Sequence, residues 1–78
     1  MSEANDFILR ENDEGTEIVH EIGFEQVGEE KPRLFHIFPV VDGDLALEKS
    51  KVETMDGRVV DRPVDQQVFE QAQDWLNE

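Results

Sequence analysis

The run Arg33–Val41, RLFHIFPVV, constrains this chain more than any other stretch. It places Leu34, Phe35, Ile37, Phe38, Val40 and Val41 within nine residues without an acidic interruption. A short apolar run of this length, rich in β-branched and aromatic residues, reads as a buried strand. Everything else must pack around it. In strand geometry Phe35, Ile37 and Val41 fall on one face, and Leu34, His36, Phe38 and Val40 on the other. Both faces are apolar. Pro39 cannot donate to a ladder, so the strand is expected to end near Phe38 or to bulge there.

The flanking segments supply the rest of a sheet. Phe7–Arg10 is a short apolar run, and Glu11–Gly15 is a turn cluster. Thr16–Val27 alternates, with Ile18, His20, Ile22 and Phe24 on one face and Glu17, Val19, Glu21 and Glu25 on the other. Asp42-Gly43 and Asp56-Gly57 are strong hairpin signals, because a type I′ turn needs positive φ at both central residues. They frame Leu45–Thr54 as a strand, although its LALEKSK could also wind into a helix, and leave Arg58–Asp61 as a short fifth strand. Pro63 breaks the sheet. Asp65 then caps a helix from Gln66 to Asn77, with Val68, Phe69, Ala72, Trp75 and Leu76 in one apolar arc. The expected fold is α+β, an antiparallel meander of about five strands with one C-terminal helix packed on a face. The second apolar sheet face must then curl into a partial barrel, meet another copy, or stay open to a partner.

Seventy-eight residues allow one domain, residues 1–78, with the patternless Met1–Asp6 read as a frayed end. No disulfide or thiolate metal site is available, since the chain has no cysteine. No apolar run approaches the roughly 18 residues of a membrane span. The polar, acidic N-terminus does not read as a secretory signal, so a soluble cytoplasmic protein is expected.

Charge narrows the function classes. Twenty acidic residues against seven Lys plus Arg give −13. This field argues against direct binding to nucleic acid or anionic membranes, which recruit basic side chains. A basic protein partner, a second copy, or no partner at all remain.

Catalytic chemistry is thinly supplied. There is no Cys or Tyr, only Ser2 and Ser50, and the strand parity sets His20 and His36 on opposite faces. Nucleophile, base and carboxylate therefore have no reason to converge, and no enzyme activity, cofactor or metal is expected. Asp42, Asp44 and Glu48, like Asn12, Asp13 and Glu14, are carboxylate-rich but lack the spacing of a calcium loop; turn chemistry accounts for both. Lys49 and Lys51 share a strand face, with Lys51 opposite Arg62 and with Glu21 and Glu25 alongside, which exposed ion pairing explains.

The helix carries a less ordinary feature. Glu70, Asp74 and Glu78 recur every four residues opposite the apolar arc. Like charges at that spacing cost about 0.2–0.5 kcal/mol per pair. Asp74 and Glu78 also meet the negative end of the helix dipole, each unfavourable by about 0.3–1 kcal/mol. A local rule broken without local compensation points to function; the plain alternative is a solvated face in a chain that is acidic throughout. With Glu17, Glu21 and Glu25 these residues are the candidate partner-binding acids. They define an interaction domain for a basic partner, in its sharpest form a nucleic-acid mimic or regulator. The alternative is an acidic solvated domain, from salt adaptation or homodimerisation, with no charge-driven partner.

Ile8–Gly15, Glu17–Phe24, Arg33–Pro39 and Pro63–Leu76 together resemble the YrzB-like family of small acidic bacterial proteins of unknown function. The shared pattern is a strand, an acidic turn, a Glu-rich alternating strand, an aromatic strand ending in Pro and a Pro-led C-terminal helix. The resemblance covers most of the chain and implies a β-rich domain with a terminal helix. It brings no active residues. His20, His36, Lys49 and Lys51 depart from it.

Overall fold

Chain order in the computed structural model, which describes residues 7–78, is β1 (Phe7–Asn12), β2 (Gly15–Phe24), β3 (Arg33–Val41), β4 (Asp44–Leu45), a 3-10 turn (Leu47–Lys49), β5 (Lys51–Thr54), β6 (Val59–Val60) and α1 (Gln66–Leu76). The expected frayed end, Met1–Asp6, lies outside the described residues. All pairings are antiparallel, in the order β1-β2-β3-β5-β6, with β4 pairing β3 off that path. The α+β meander with a C-terminal helix is the observed fold, and Arg33–Val41 is its central strand.

Pro39 acts on the neighbouring strand rather than on its own. β3 runs through it to Val41, paired to β2 at Glu17. On its other side β3 pairs β5 over Leu34–Ile37 and β4 over Val40–Val41, leaving Phe38 and Pro39 without a ladder partner. Proline offers no N–H there, so the opposing chain gains little by staying extended. Leu47–Lys49 coils out as the 3-10 turn. The Ala46 N–H returns to the Pro39 carbonyl (2.9 Å) and the Ser50 hydroxyl donates to the Ala46 carbonyl (3.0 Å). The continuous strand expected over Leu45–Thr54 is thus two short strands. Lys49 leaves the sheet for the turn, yet it still lines one hollow with Lys51, Glu17 and Pro39.

The two Asp-Gly turns differ. Asp42 and Gly43 both have positive φ (54° and 88°), the two-residue turn that the sequence predicts. At the second, Gly57 alone is positive (92°), and the Thr54 N–H bonds the Arg58 carbonyl (2.9 Å) across three loop residues. The Thr54 hydroxyl donates to the Asp56 carboxylate and accepts from the Arg58 N–H (3.1 Å). The Thr54 hydroxyl first, then the Arg58 backbone N–H, hold the Asp56 carboxyl below the usual carboxylate range. The longer loop shifts the register, pairing Glu53 with Val59 and Val52 with Val60, so Lys51 does not face Arg62.

Helix α1 begins where Asp65 accepts the Gln67 N–H at 2.9 Å. Ala72 is fully buried, and Val68, Phe69, Trp75 and Leu76 pack over Phe7, Ile18, Phe38 and Leu45. The molecule measures 39 × 32 × 18 Å. Its thin dimension is one sheet plus one helix layer at the usual spacing of about 10 Å. Among the described residues no second layer covers the opposite face. Replacing Asp65 by Ala removes the side-chain cap and is expected to lower stability by about 1 kcal/mol. Urea denaturation checks this; an unchanged midpoint would mean that the cap bond contributes nothing.

Candidate functional site

Two groups of polar side chains stand out, an uncompensated acidic helix layer and a histidine pair beneath it. The acidic layer follows from composition. Residues 63–78 contain Asp65, Glu70, Asp74 and Glu78 and no Lys or Arg. Once the apolar arc is spent on the sheet, Glu70 and Asp74 are left facing water. Both are exposed, as is Glu78. The helix ends at Leu76, so Glu78 continues the acidic stripe just past it, with its N–H bonded to the Trp75 carbonyl (3.3 Å). Beside this layer runs the β3–β4 turn with Asp42 and Asp44. It is tied to the helix where the Leu45 N–H donates to Gln73 Oε1 (3.1 Å).

The three strand acids are placed differently. Glu17 pairs with Arg10, Glu21 with Arg33 (2.9 Å) and Glu25 with Arg62. Glu53 pairs with Lys51 (3.0 Å), and this bond raises the lysine pKa; Glu30 pairs with Arg58 (2.7 Å). Five of the seven basic residues are engaged in this way. Among the described residues no ion pair reaches Glu70, Asp74 or Glu78. Exposed pairs of this kind add little to stability, roughly 0–1 kcal/mol each. They do settle where the bases are spent: five of the seven sit on acids of the sheet and its loops.

Glu17, Glu21 and Glu25 do not share one face. β2 carries a bulge between Glu21 and Gly23, so Glu21 opposes Phe35 and Gly23 opposes Leu34, with Ile22 as the extra residue. The inserted residue reverses the alternation. Glu17 and Glu21 stay on the open face, which Ile22 and Phe24 join, while Glu25 turns toward Arg62 on the helix side. A glycine inside an alternating strand was the available sign, and Gly23 has φ 119°, a conformation that suits glycine.

The histidine pair also corrects the expected parity. His20 and His36 lie directly opposite each other across β2 and β3, on the helix-facing side, with their Nδ1 atoms 3.3 Å apart. The Asp65 N–H, at the helix cap, donates to His36 Nε2 (3.2 Å). An accepting Nε2 puts the His36 proton on Nδ1, where it donates to His20 Nδ1; the tautomers follow from this network. His36 is 3 % exposed. Burial first, then the His20 charge, lower its pKa from 6.5 to about 4, with Asp65 and Glu25 opposing and Arg62 assisting. His20 and His36 lie in a chain of ring contacts running from Trp75 through Phe7, His20, His36 and Phe38 to Phe69, with centroids 5.0–5.8 Å apart. The pair therefore joins the helix to the sheet. Among the described residues no group of three or more His, Cys, Asp or Glu is arranged to hold a metal, and no helix is long and apolar enough to cross a membrane.

No family model matches the chain, and no curated protein or solved structure matches it.

Proposed function

We propose that this chain is a small, non-enzymatic interaction domain that offers an acidic surface to a basic protein. The observation carrying this reading is charge segregation. Five basic residues are spent on acids of the sheet and its loops, while Glu70, Asp74 and Glu78 stand exposed on a helix layer that contains no base and that, among the described residues, no ion pair reaches. Such a layer raises the local potential for a cationic partner and steers its approach. Glu17, Glu21 and Glu25, engaged by arginines, serve that partner only by exchanging one guanidinium for another.

The sharper form is mimicry of a nucleic acid, in which carboxylates stand for phosphates in a basic groove. Four helical residues rise about 6 Å, whereas one strand of duplex DNA carries a charge per roughly 3.4 Å of axis. The helix stripe alone is therefore sparse. Asp42 and Asp44, on the adjoining turn, supply the further charges that mimicry requires.

The triple change Glu70→Lys, Asp74→Lys and Glu78→Lys tests the reading. With each chain as bait in lysate of its source cells at low salt, the native form is expected to retain a basic protein that a salt gradient releases sharply. The variant, with its fold checked by circular dichroism, should retain none. Equal retention by both chains would remove the helix layer from the account.

A further inference from the structure

On the face of the sheet opposite the helix, charges of both signs meet in a molecule of −13. Its strand positions carry Arg10, Arg33 and Lys51 against Glu17, Glu21 and Glu53. Three positive and three negative side chains pair within the face and cancel at its strand positions, with Asp56 at the edge. Between them runs an apolar band. Val19 and Ile37 are buried at its centre and Phe35 is half-buried, with the Arg33 guanidinium over its ring at 5.5 Å. Ile8 (61 % exposed) and, past the bulge, Phe24 (63 %) extend the band to the margins of the sheet. The β2 bulge that turns Ile22 and Phe24 onto this face thus enlarges its apolar surface.

We propose that this open face is the contact between two copies of the chain, packed sheet on sheet with both helix layers outward. At these strand positions a basic partner finds no net negative charge, and an acidic one no net positive charge. A second copy brings the same neutral, flat, apolar band, with both signs of charge at its margin available for exchange across a two-fold axis. This arrangement also sets the two uncompensated helix layers as far apart as the molecule permits. The broad dimensions, 39 and 32 Å, leave room for the roughly 800 Å² per partner of a standard interface. Face-to-face sheets at about 10 Å give the interdigitated core of a sandwich.

Salt distinguishes this contact from capture of a basic protein. Two copies of −13 repel, so screening strengthens their association, whereas a charge-driven heterocomplex weakens. Sedimentation equilibrium of the full chain, run as a concentration series at about 0.05 M and about 0.5 M KCl, should show a monomer–dimer equilibrium with a dissociation constant about tenfold lower at the higher salt. Ile8→Glu and Phe24→Glu, made separately at exposed positions and checked by circular dichroism, should each leave a folded monomer. The triple lysine variant of the helix should still dimerise while losing any basic partner, which separates failure of this proposal from failure of the acidic-surface reading. A chain monomeric at both salt concentrations, a dimer that weakens with salt, or a dimer indifferent to both Glu variants would overturn it.

Discussion

Replacing Phe38 by alanine is expected to leave the chain unfolded at room temperature. Phe38 is fully buried on the central strand, opposite Ile18, and its ring stacks on His36 (5.4 Å) and meets Phe69 edge-on (5.6 Å). It is the largest of the fully buried side chains and links the sheet to the helix. Phe→Ala in a core costs about 3–5 kcal/mol, from lost burial and from the cavity left behind. A core in a domain this small supplies about 3–5 kcal/mol of net stability in all. The loss is therefore as large as the whole. Circular dichroism should show no cooperative melt for Phe38→Ala, while Phe38→Leu, which keeps much of the volume, should still melt cooperatively. A native-like melt for the alanine variant would mean that the core lies elsewhere.

Acid is expected to loosen the fold through His36 before the carboxylates titrate. Its pKa is 6.5 when unfolded and about 4 when folded, so between those values the unfolded chain binds a proton that the folded chain refuses. The His36 contribution is therefore complete above pH 6.5 and is lost as the pH falls toward 4. From pH 7 to pH 5 the loss is about 2 kcal/mol, or roughly 10 °C in melting temperature for a domain of this size. The structural cause is direct. A protonated His36 carries hydrogen on both ring nitrogens, so Nε2 can no longer accept the Asp65 N–H and the helix cap loses its anchor to the sheet. His36→Gln keeps an acceptor but removes the titration, and its melting temperature should change much less between the same two pH values. An equal drop in both chains would assign the acid sensitivity to other groups.

The sheet and helix were legible because their signals are local. The alternation opening at Thr16, the apolar run of β3, the Asp42-Gly43 turn and the Asp65 cap each depend on a few neighbouring residues, and each element appears, although the strand read over Thr16–Val27 ends at Phe24 and keeps its alternation only to Glu21. The errors arose where one residue altered the register for those after it. Gly23 accommodates a bulge that carries Ile22 and Phe24 to the open face and Glu25 to the helix side. Pro39 leaves its own strand intact and breaks the one beside it. The contact between His20 and His36 depends on the stagger of β2 on β3, which strand parity counted from separate starting points does not fix. The helix acids could be placed from the 3.6-residue wheel alone. The arginine partners of Glu17, Glu21 and Glu25 could not, because those pairs cross strands and loops 7 to 37 residues apart.

The most direct test of the acidic-surface reading maps where a cation lands. An oligo-arginine peptide, titrated into isotopically labelled chain and followed by amide chemical shifts at low and then high salt, serves as the probe. The changes should centre on Glu70, Asp74 and Glu78, include Asp42 and Asp44, and vanish as salt is raised. Changes centred on Glu17, Glu21 and the open sheet face, or spread evenly over the molecule, would contradict the account.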